Sequence, residues 1–252
     1  MQNKFQILKN ALLTAVEVES SEINTAAVLF SGGIDSALIA ELVSRKISVR
    51  LYVVGLRNSN AIQASEKAAS LLNLPLTKVV ANKKELFSAL KKVKKIIKTD
   101  NFLQLSIALP EYFALKQIKR DKFKHVFCGQ GADELFFGYD EFKRLLEQKK
   151  SYKALELLRE KKLENLFEDN LKRDFAIAKH FKLTLIAPYL NKDFANAALL
   201  FSAKENVFSK KDFLRKRILR KLAKEFIPEK IANVRKKAIQ YDSAFAKELK
   251  KL

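Results

Sequence analysis

The stretch VLFSGGIDS, at residues 28–36, decides the fold of this chain. The apolar run from Ala26 to Phe30 has no polar alternation, which is typical of a buried parallel strand. Gly32 and Gly33 follow it, and residues 34–45 then carry apolar side chains at helical spacing. A strand that breaks at two glycines and opens into a helix suits phosphate binding, because the backbone N–H groups can approach an anion and the helix N-terminus adds partial positive charge.

The polar residues of this loop indicate how it would bind phosphate. It is not a Walker A loop, since no lysine follows the glycines at that spacing. Ser31 and Ser36 are placed to donate their hydroxyls to phosphate. Asp35 is predicted to hold a metal ion, because a bare carboxylate beside phosphate is repelled. An ordinary glycine-rich turn is the alternative that the hexapeptide alone leaves open.

A second motif, CGQGADELFFGY, occupies residues 128–139 and follows a predicted strand at His125 to Cys128. Gly129 and Gly131 allow the backbone to approach a nucleotide closely, and Asp133 begins a predicted helix. Together with Asp35, this aspartate is expected to supply oxygen ligands to Mg²⁺, which proteins commonly hold with one or two carboxylates plus substrate phosphates.

The two motifs carry a family resemblance. SGGIDS resembles the pyrophosphate loop of the ATP pyrophosphatase superfamily. Residues 128–139 resemble the G-x-G-[SA]-D-E-x-F-x-G-Y segment in the synthetase domain of the asparagine synthetase family. The resemblance runs in patches from about Ala26 to Ser243. It implies a fold of the adenine nucleotide alpha hydrolase type, with ATP and Mg²⁺ as cofactors. The implied enzyme is an ATP-dependent carbon–nitrogen ligase that makes asparagine from aspartate and ammonia through an acyl-adenylate, releasing AMP and pyrophosphate.

The resemblance also implies site residues. Residues 227–241 resemble the family's C-terminal loop, and by that match Lys237 falls on the catalytic lysine. A positioned cation there stabilises the negative charge that develops at the α-phosphate. Leu29 and Val54 would line the adenine pocket. The residues implied to bind ATP are Leu29, Ser31, Gly32, Gly33, Asp35, Ser36, Val54, Cys128 and Gly129.

Three positions depart from the family pattern. Gln130 stands at a catalytic position where asparagine synthetases carry a glutamate that assists acyl transfer or deprotonates ammonium. A neutral amide takes no proton, so either a nearby base replaces it or the nucleophile arrives as free ammonia. Ile186 and Asn191 replace an arginine and an aspartate on the acceptor side. An amide-forming ligase of the β-lactam synthetase type, with another acceptor, is therefore an alternative.

Strands and helices alternate along the first part of the chain, which predicts an α/β fold with a doubly wound parallel sheet. Ligands bind such sheets at the carboxyl ends of the strands. The predicted strands lie at residues 26–30, 49–54, 76–80 and 125–128. We expect a single domain with an N-terminal helix at 1–25, a nucleotide-binding α/β core at 26–140 and a mainly helical C-terminal part at 141–252.

The net charge of +21 raises the question of a nucleic-acid partner. Lysines lie along almost every predicted helix and form no single stripe, which favours solvated faces. The best local candidate for an RNA-binding face is the predicted helix at 212–226, with Arg215, Lys216, Arg217, Arg220, Lys221 and Lys224. A tRNA-modifying ATP pyrophosphatase and a non-catalytic nucleotide-binding subunit are the alternative functions.

Cysteine and histidine are rare. One cysteine and two histidines exclude a disulfide framework and a Cys/His zinc site. No apolar run approaches the ~18 residues that span a bilayer, and we expect a cytoplasmic protein without a signal peptide. The glutaminase domain of asparagine synthetases begins with a cysteine after the initiator methionine, where Gln2 stands here. We therefore expect a synthetase domain without that half, which uses ammonia or a separate glutaminase subunit.

Overall fold

Five parallel strands form the central sheet, in the order β3-β2-β1-β4-β5. The computed structural model describes residues 2–57, 59–148, 151–207, 215–234 and 244–250. Its strands are β1 (Thr25–Leu29), β2 (Ser48–Leu56), β3 (Leu76–Ala81), β4 (His125–Phe127) and β5 (Thr184–Ile186). The chain moves outward from β1 to β3 and then returns to β4, so the switch in strand order lies between β1 and β4.

Helices surround this sheet. Along the first half of the chain they are α1 (Gln2–Ser20), α2 (Ile34–Ser44), α3 (Asn60–Leu72), α4 (Lys83–Ile97), α5 (Phe102–Arg120), α6 (Ala132–Leu135) and α7 (Asp140–Glu147). After these come α8 (Tyr152–Glu164), a π-helical turn (Phe167–Leu171), α9 (Lys172–His180), a 3-10 turn (Pro188–Leu190), α10 (Lys192–Leu199), α11 (Ala203–Asn206), α12 (Arg217–Ala223), α13 (Glu229–Ala232) and α14 (Phe245–Leu249).

The two faces of the sheet pack against separate apolar cores. Ala26 and Val28 of β1 join a core that includes residues of α1, α2, α10 and α12. Ala27, between them, joins a core on the opposite face with residues of α4, α5, α9 and α14. Because successive side chains of a strand point to opposite faces, an uninterrupted apolar run is what a strand covered on both sides requires. The predicted doubly wound α/β fold is confirmed.

One helix contains a proline, and one predicted helix has a different start. Helix α5 continues through Pro110 from Phe102 to Arg120, although a proline inside a helix removes a backbone hydrogen bond and can kink it. The helix predicted over residues 212–226 is wrong at its start, because α12 begins only at Arg217. Arg215 and Lys216 adopt left-handed backbone conformations, with φ of 46° and 53°, which a helix does not contain. Residues 208–214 lie outside the described part of the chain.

No helix within the described residues is both long enough and apolar enough to cross a membrane.

The core beneath α2 should govern stability. Leu38 is fully buried there, and we expect Leu38→Ala to lower the free energy of unfolding by about 2–5 kcal/mol, since it removes apolar contacts and leaves a cavity. Urea denaturation followed by circular dichroism measures this change. Leu157→Ala is the matched control, because Leu157 is 56% exposed and its truncation should cost no more than about 0.5 kcal/mol. Equal losses in the two variants would contradict the assigned core.

Candidate active site

The turn between β1 and α2, here called the phosphate loop (residues 31–36), depends on a glycine. Gly32 has φ of 71°, and a Cβ atom there would lie 3.0 Å from the backbone carbon and oxygen of Ala64. A side chain at this position would therefore meet both an unfavourable backbone conformation and a backbone obstacle. The tight turn places the amino end of α2 directly after the carboxyl end of β1.

The two serines of the phosphate loop have different positions. Ser36 is buried and its Oγ accepts a hydrogen bond from the Ser31 backbone N–H at 3.2 Å, which holds the turn. Ser31 is exposed, with its hydroxyl 3.2 Å from that of Ser36. Gly33 precedes α2 without a side-chain cap. The first N–H groups of this helix are thus available to an anion, as phosphate binding at a helix N-terminus requires.

The second motif packs directly on the phosphate loop. A Cβ atom on Gly129 would lie 3.0 Å from the carbonyl carbon and Cβ of Asp35, and 3.1 Å from the Ser36 nitrogen. Cys128, just before it, is buried, and its backbone N–H donates to the Ile186 carbonyl oxygen of β5 at 2.9 Å. Burial raises the pKa of the Cys128 thiol. The two sequence motifs therefore form one continuous surface at the switch point of the sheet.

Asp35 and Asp133 converge on a single cation, the ammonium of Lys216. Its Nζ lies 2.6 and 2.7 Å from the two carboxylate oxygens of Asp35 and 2.7 Å from Oδ1 of Asp133. Burial lowers the pKa of Lys216, and the Asp35 carboxylate opposes that shift. A positive group already shared by two carboxylates shows that their oxygens can meet at one ion. These residues fit the predicted magnesium site, because Mg²⁺ binds carboxylate oxygens and needs few protein ligands when phosphates complete its shell.

Neighbouring residues hold Lys216 in this buried position. The Arg220 Nε donates to the Arg215 carbonyl oxygen at 2.7 Å, and the Arg215 guanidinium lies 2.5 Å from Asp140. Gly138 leaves room for the cluster, since a Cβ atom there would lie 1.9 Å from Asp133 Oδ1 and 2.2 Å from Lys216 Cε. Lys216 was expected on a solvated basic face, and its burial corrects that prediction. Nothing local distinguishes it, because lysines and arginines flank it on both sides.

Three of the six residues in the candidate RNA-binding face, which were expected to be solvated, are buried. Arg215, Lys216 and Arg220 are 4%, 1% and 4% exposed and serve the interior. Arg220 also donates to the carbonyl oxygens of Ala232 and Val234. Their charges are used for internal hydrogen bonds and ion pairs, which leaves Arg217, Lys221 and Lys224 as the exposed members of the set.

Gln130 contacts the buried Arg173–Asp174 ion pair, which no sequence motif indicates. Its Nε2 lies 2.5 Å from Oδ2 of Asp174. Asp174 is 1% exposed, and its Oδ1 accepts from the Arg173 guanidinium at 2.7 Å. Burial and the Asp174 carboxylate raise the pKa of Glu111 well above its usual range. Asp174 is far from Gln130 in sequence, so only the packing of α9 could reveal the contact.

Four further predicted residues lie within the described part of the chain. Leu29 and Val54, on β1 and β2, pack in one apolar core on the same face. Ile186 ends β5 and is buried. Asn191 caps α10 by accepting hydrogen bonds from the backbone N–H groups of the two residues after Lys192. Lys237 lies outside the described residues, so its catalytic role stays a prediction.

The family model for asparagine synthase matches the chain over residues 8–176 and 147–252. The chain belongs to the asparagine synthase family. A relative from Methanocaldococcus jannaschii, named "Putative asparagine synthetase (glutamine-hydrolyzing) 1", is 31% identical over 275 residues, which covers 97% of this chain and 50% of the relative. Asparagine synthetase (glutamine-hydrolyzing) 2 of Oryza sativa subsp. japonica is 27% identical over 183 residues, covering 68% of this chain and 30% of that protein.

The chain thus spans half or less of the length of these curated relatives. Among solved structures, NMN synthetase from Francisella tularensis is similar with a TM-score of 0.39 and 12% identity, over 97% of this chain and 92% of that one. Membership of the asparagine synthase family supports an ATP-using, ligase-like enzyme.

The lysine between the two aspartates gives a stability prediction. We expect Lys216→Met to lower the free energy of unfolding by about 3 kcal/mol without added metal, because two largely buried carboxylates lose their shared cation. Millimolar Mg²⁺ should stabilise the variant more than the original chain, since an ion that binds only the folded state stabilises it. Urea denaturation with and without MgCl₂ measures both effects.

Lys153→Met is the control for this experiment, because Lys153 is exposed on α8 and its replacement should change stability by no more than about 0.5 kcal/mol. An unchanged stability of the Lys216 variant would show that its ammonium does not neutralise the carboxylates.

Proposed function

We propose that the chain is an ATP-dependent amide-forming ligase that activates the β-carboxylate of aspartate as an acyl-adenylate and transfers the acyl group to ammonia. The products would be asparagine, AMP and pyrophosphate. The observation that carries this proposal is the convergence of Asp35 and Asp133 on one cation position beside the phosphate loop. The asparagine synthase family match supports the reaction class.

The chain's own residues supply the binding part of this mechanism. The open amino end of α2 and the Ser31 hydroxyl would bind the phosphates. Leu29 and Val54, on the same face of the sheet, would lie against the adenine. Asp35 and Asp133 would hold Mg²⁺, which would neutralise phosphate charge when bound.

Positive side chains would assist the chemical step. The position between Asp35 and Asp133 holds one cation, Lys216 or Mg²⁺, and a positive charge there would stabilise the negative charge that develops on the α-phosphate as the carboxylate attacks. Lys237 is proposed for the same task on the strength of the family resemblance. Acyl transfer then needs a nitrogen nucleophile near Gln130. This residue follows Gly129, which packs against Asp35 and Ser36 of the phosphate loop.

The choice of this function over a tRNA-modifying one rests on the basic residues at α12. Arg215, Lys216 and Arg220 are buried, so the face that motivated a nucleic-acid partner lacks half of its charges. A non-catalytic nucleotide-binding subunit would bind ATP without releasing pyrophosphate, which the experiment below distinguishes.

Removal of either acidic group should stop the first half-reaction. We expect Asp35→Asn and Asp133→Asn each to reduce pyrophosphate release by about 100-fold or more, because the charge that organises the phosphates is lost. The assay supplies ATP, MgCl₂, ammonium and a panel of amino acids, which also identifies the acceptor. Asp193→Asn, an exposed aspartate on α10, is the matched control. Normal turnover by either folded site variant would remove the proposed metal role.

The nitrogen donor gives a separate prediction. The 252-residue chain should form amide with ammonium and not with glutamine, because its one cysteine, Cys128, is buried and burial raises the pKa of its thiol. A protonated, buried thiol is a poor nucleophile. Amide formation is measured with each donor, for the original chain and for Cys128→Ala. Glutamine-driven synthesis that disappears in the alanine variant would contradict this expectation.

A further inference from the structure

The contact between Gln130 and Asp174 fixes the orientation of an amide. Oδ1 of Asp174 accepts hydrogen bonds from Nε and Nη2 of Arg173, each at 2.7 Å. Oδ2 of Asp174 accepts a hydrogen bond from Nε2 of Gln130 at 2.5 Å. An ionised carboxylate can only accept hydrogen bonds, whereas a glutamine amide has a donor end and an acceptor end. The donor end of Gln130 must therefore face Asp174.

Asp174 is itself held from several sides. Nη1 of Arg173 donates a hydrogen bond to the side-chain oxygen of Gln104 on α5 at 2.8 Å. The Arg173–Asp174 pair is therefore hydrogen-bonded to a second helix. Burial and the Asp174 carboxylate raise the pKa of Glu111, also on α5, well above its usual range. Arg173 of α9 and Gln130, between β4 and α6, thus donate to a carboxylate that is 1% exposed.

The acceptor end of Gln130 has no such partner. Within the described part of the chain, no hydrogen bond reaches Oε1 of Gln130, and the residue is half-buried. Gln130 directly follows Gly129, whose backbone lies against Asp35 and Ser36. The Gln130 carbonyl oxygen, whose orientation is imposed by Asp174, therefore belongs to the residue after Gly129, which packs on the phosphate loop. A nucleotide would bind at this end of the sheet.

We infer that Asp174 is a positioning residue which turns the Gln130 carbonyl oxygen toward the nitrogen nucleophile, so that this oxygen accepts an N–H hydrogen bond from ammonia. The inference rests on the proposed ligase function. In the transfer step, the nitrogen lone pair forms the bond to the acyl carbon and the AMP oxygen leaves with its bonding electrons. The surplus proton passes to water, and the Gln130 amide stays neutral throughout.

Three variants test this role. Gln130→Met removes the acceptor without changing charge, and Gln130→Glu places two carboxylates face to face. The double variant Gln130→Glu with Asp174→Asn exchanges the two groups, so that an amide at position 174 can donate to a carboxylate at position 130 and Arg173 keeps a carboxylate nearby. We expect the single variants to raise the KM for ammonium by about tenfold or more and the exchange to return it to within about threefold of the original value.

The first half-reaction serves as the internal reference. Pyrophosphate–ATP exchange, measured without ammonium, reports that step separately, so the KM for ammonium is compared among variants that retain it. Asp121→Asn is the matched control: it removes a carboxylate that accepts from the Tyr52 hydroxyl at 2.6 Å, away from the site. Circular dichroism confirms that each variant is folded.

The outcomes are distinct. A KM for ammonium that is unchanged in Gln130→Met, or not restored by the exchange, while pyrophosphate–ATP exchange persists, would overturn the positioning role alone. Absence of that exchange reaction in the original chain, with every amino acid tested, would overturn the ligase function and this role with it.

Discussion

The shared ion pair of Lys216 with Asp35 and Asp133 is the interaction on which the site depends. Two carboxylates that face one point repel each other unless a cation lies between them, and burial strengthens that repulsion because little water screens it. The ammonium of Lys216, 1% exposed, supplies the charge. It also joins three distant parts of the chain: the phosphate loop, α6 and the segment before α12.

The sheet topology explains why these parts can meet. Sequential strands β1 to β3 lie on one side and β4 to β5 on the other, which opens a crevice between β1 and β4 at their carboxyl ends. Glycine makes the approach across this crevice possible. Gly129 allows its loop to lie on the Asp35 backbone, and Gly138 leaves space for the Asp133–Lys216 pair. Side chains at either place would push the two halves of the site apart.

A second buried ionic cluster lies beside the first and is built differently. Around Asp174, one arginine and one glutamine amide donate to a single carboxylate. Such a cluster adds little net stability, since the desolvation of its charges offsets most of their attraction. Its value is directional, because each donor must point at the carboxylate. A glutamine rather than a glutamate at position 130 also avoids a second negative charge facing Asp174.

The sequence by itself determined the parallel α/β fold, the phosphate loop and the family, since apolar runs, glycines and motif spacing act locally along the chain. Four of the five strands were predicted within about two residues, which is the usual uncertainty of element ends. Only the tertiary structure decided the positions of Lys216 and Asp174. Both look like ordinary surface charges in sequence, because periodicity records which face of a helix is apolar and not which distant carboxylate or amide a charged side chain will meet. Long-range electrostatic pairing is settled by packing, and a charged residue enters the interior where a partner is already fixed there.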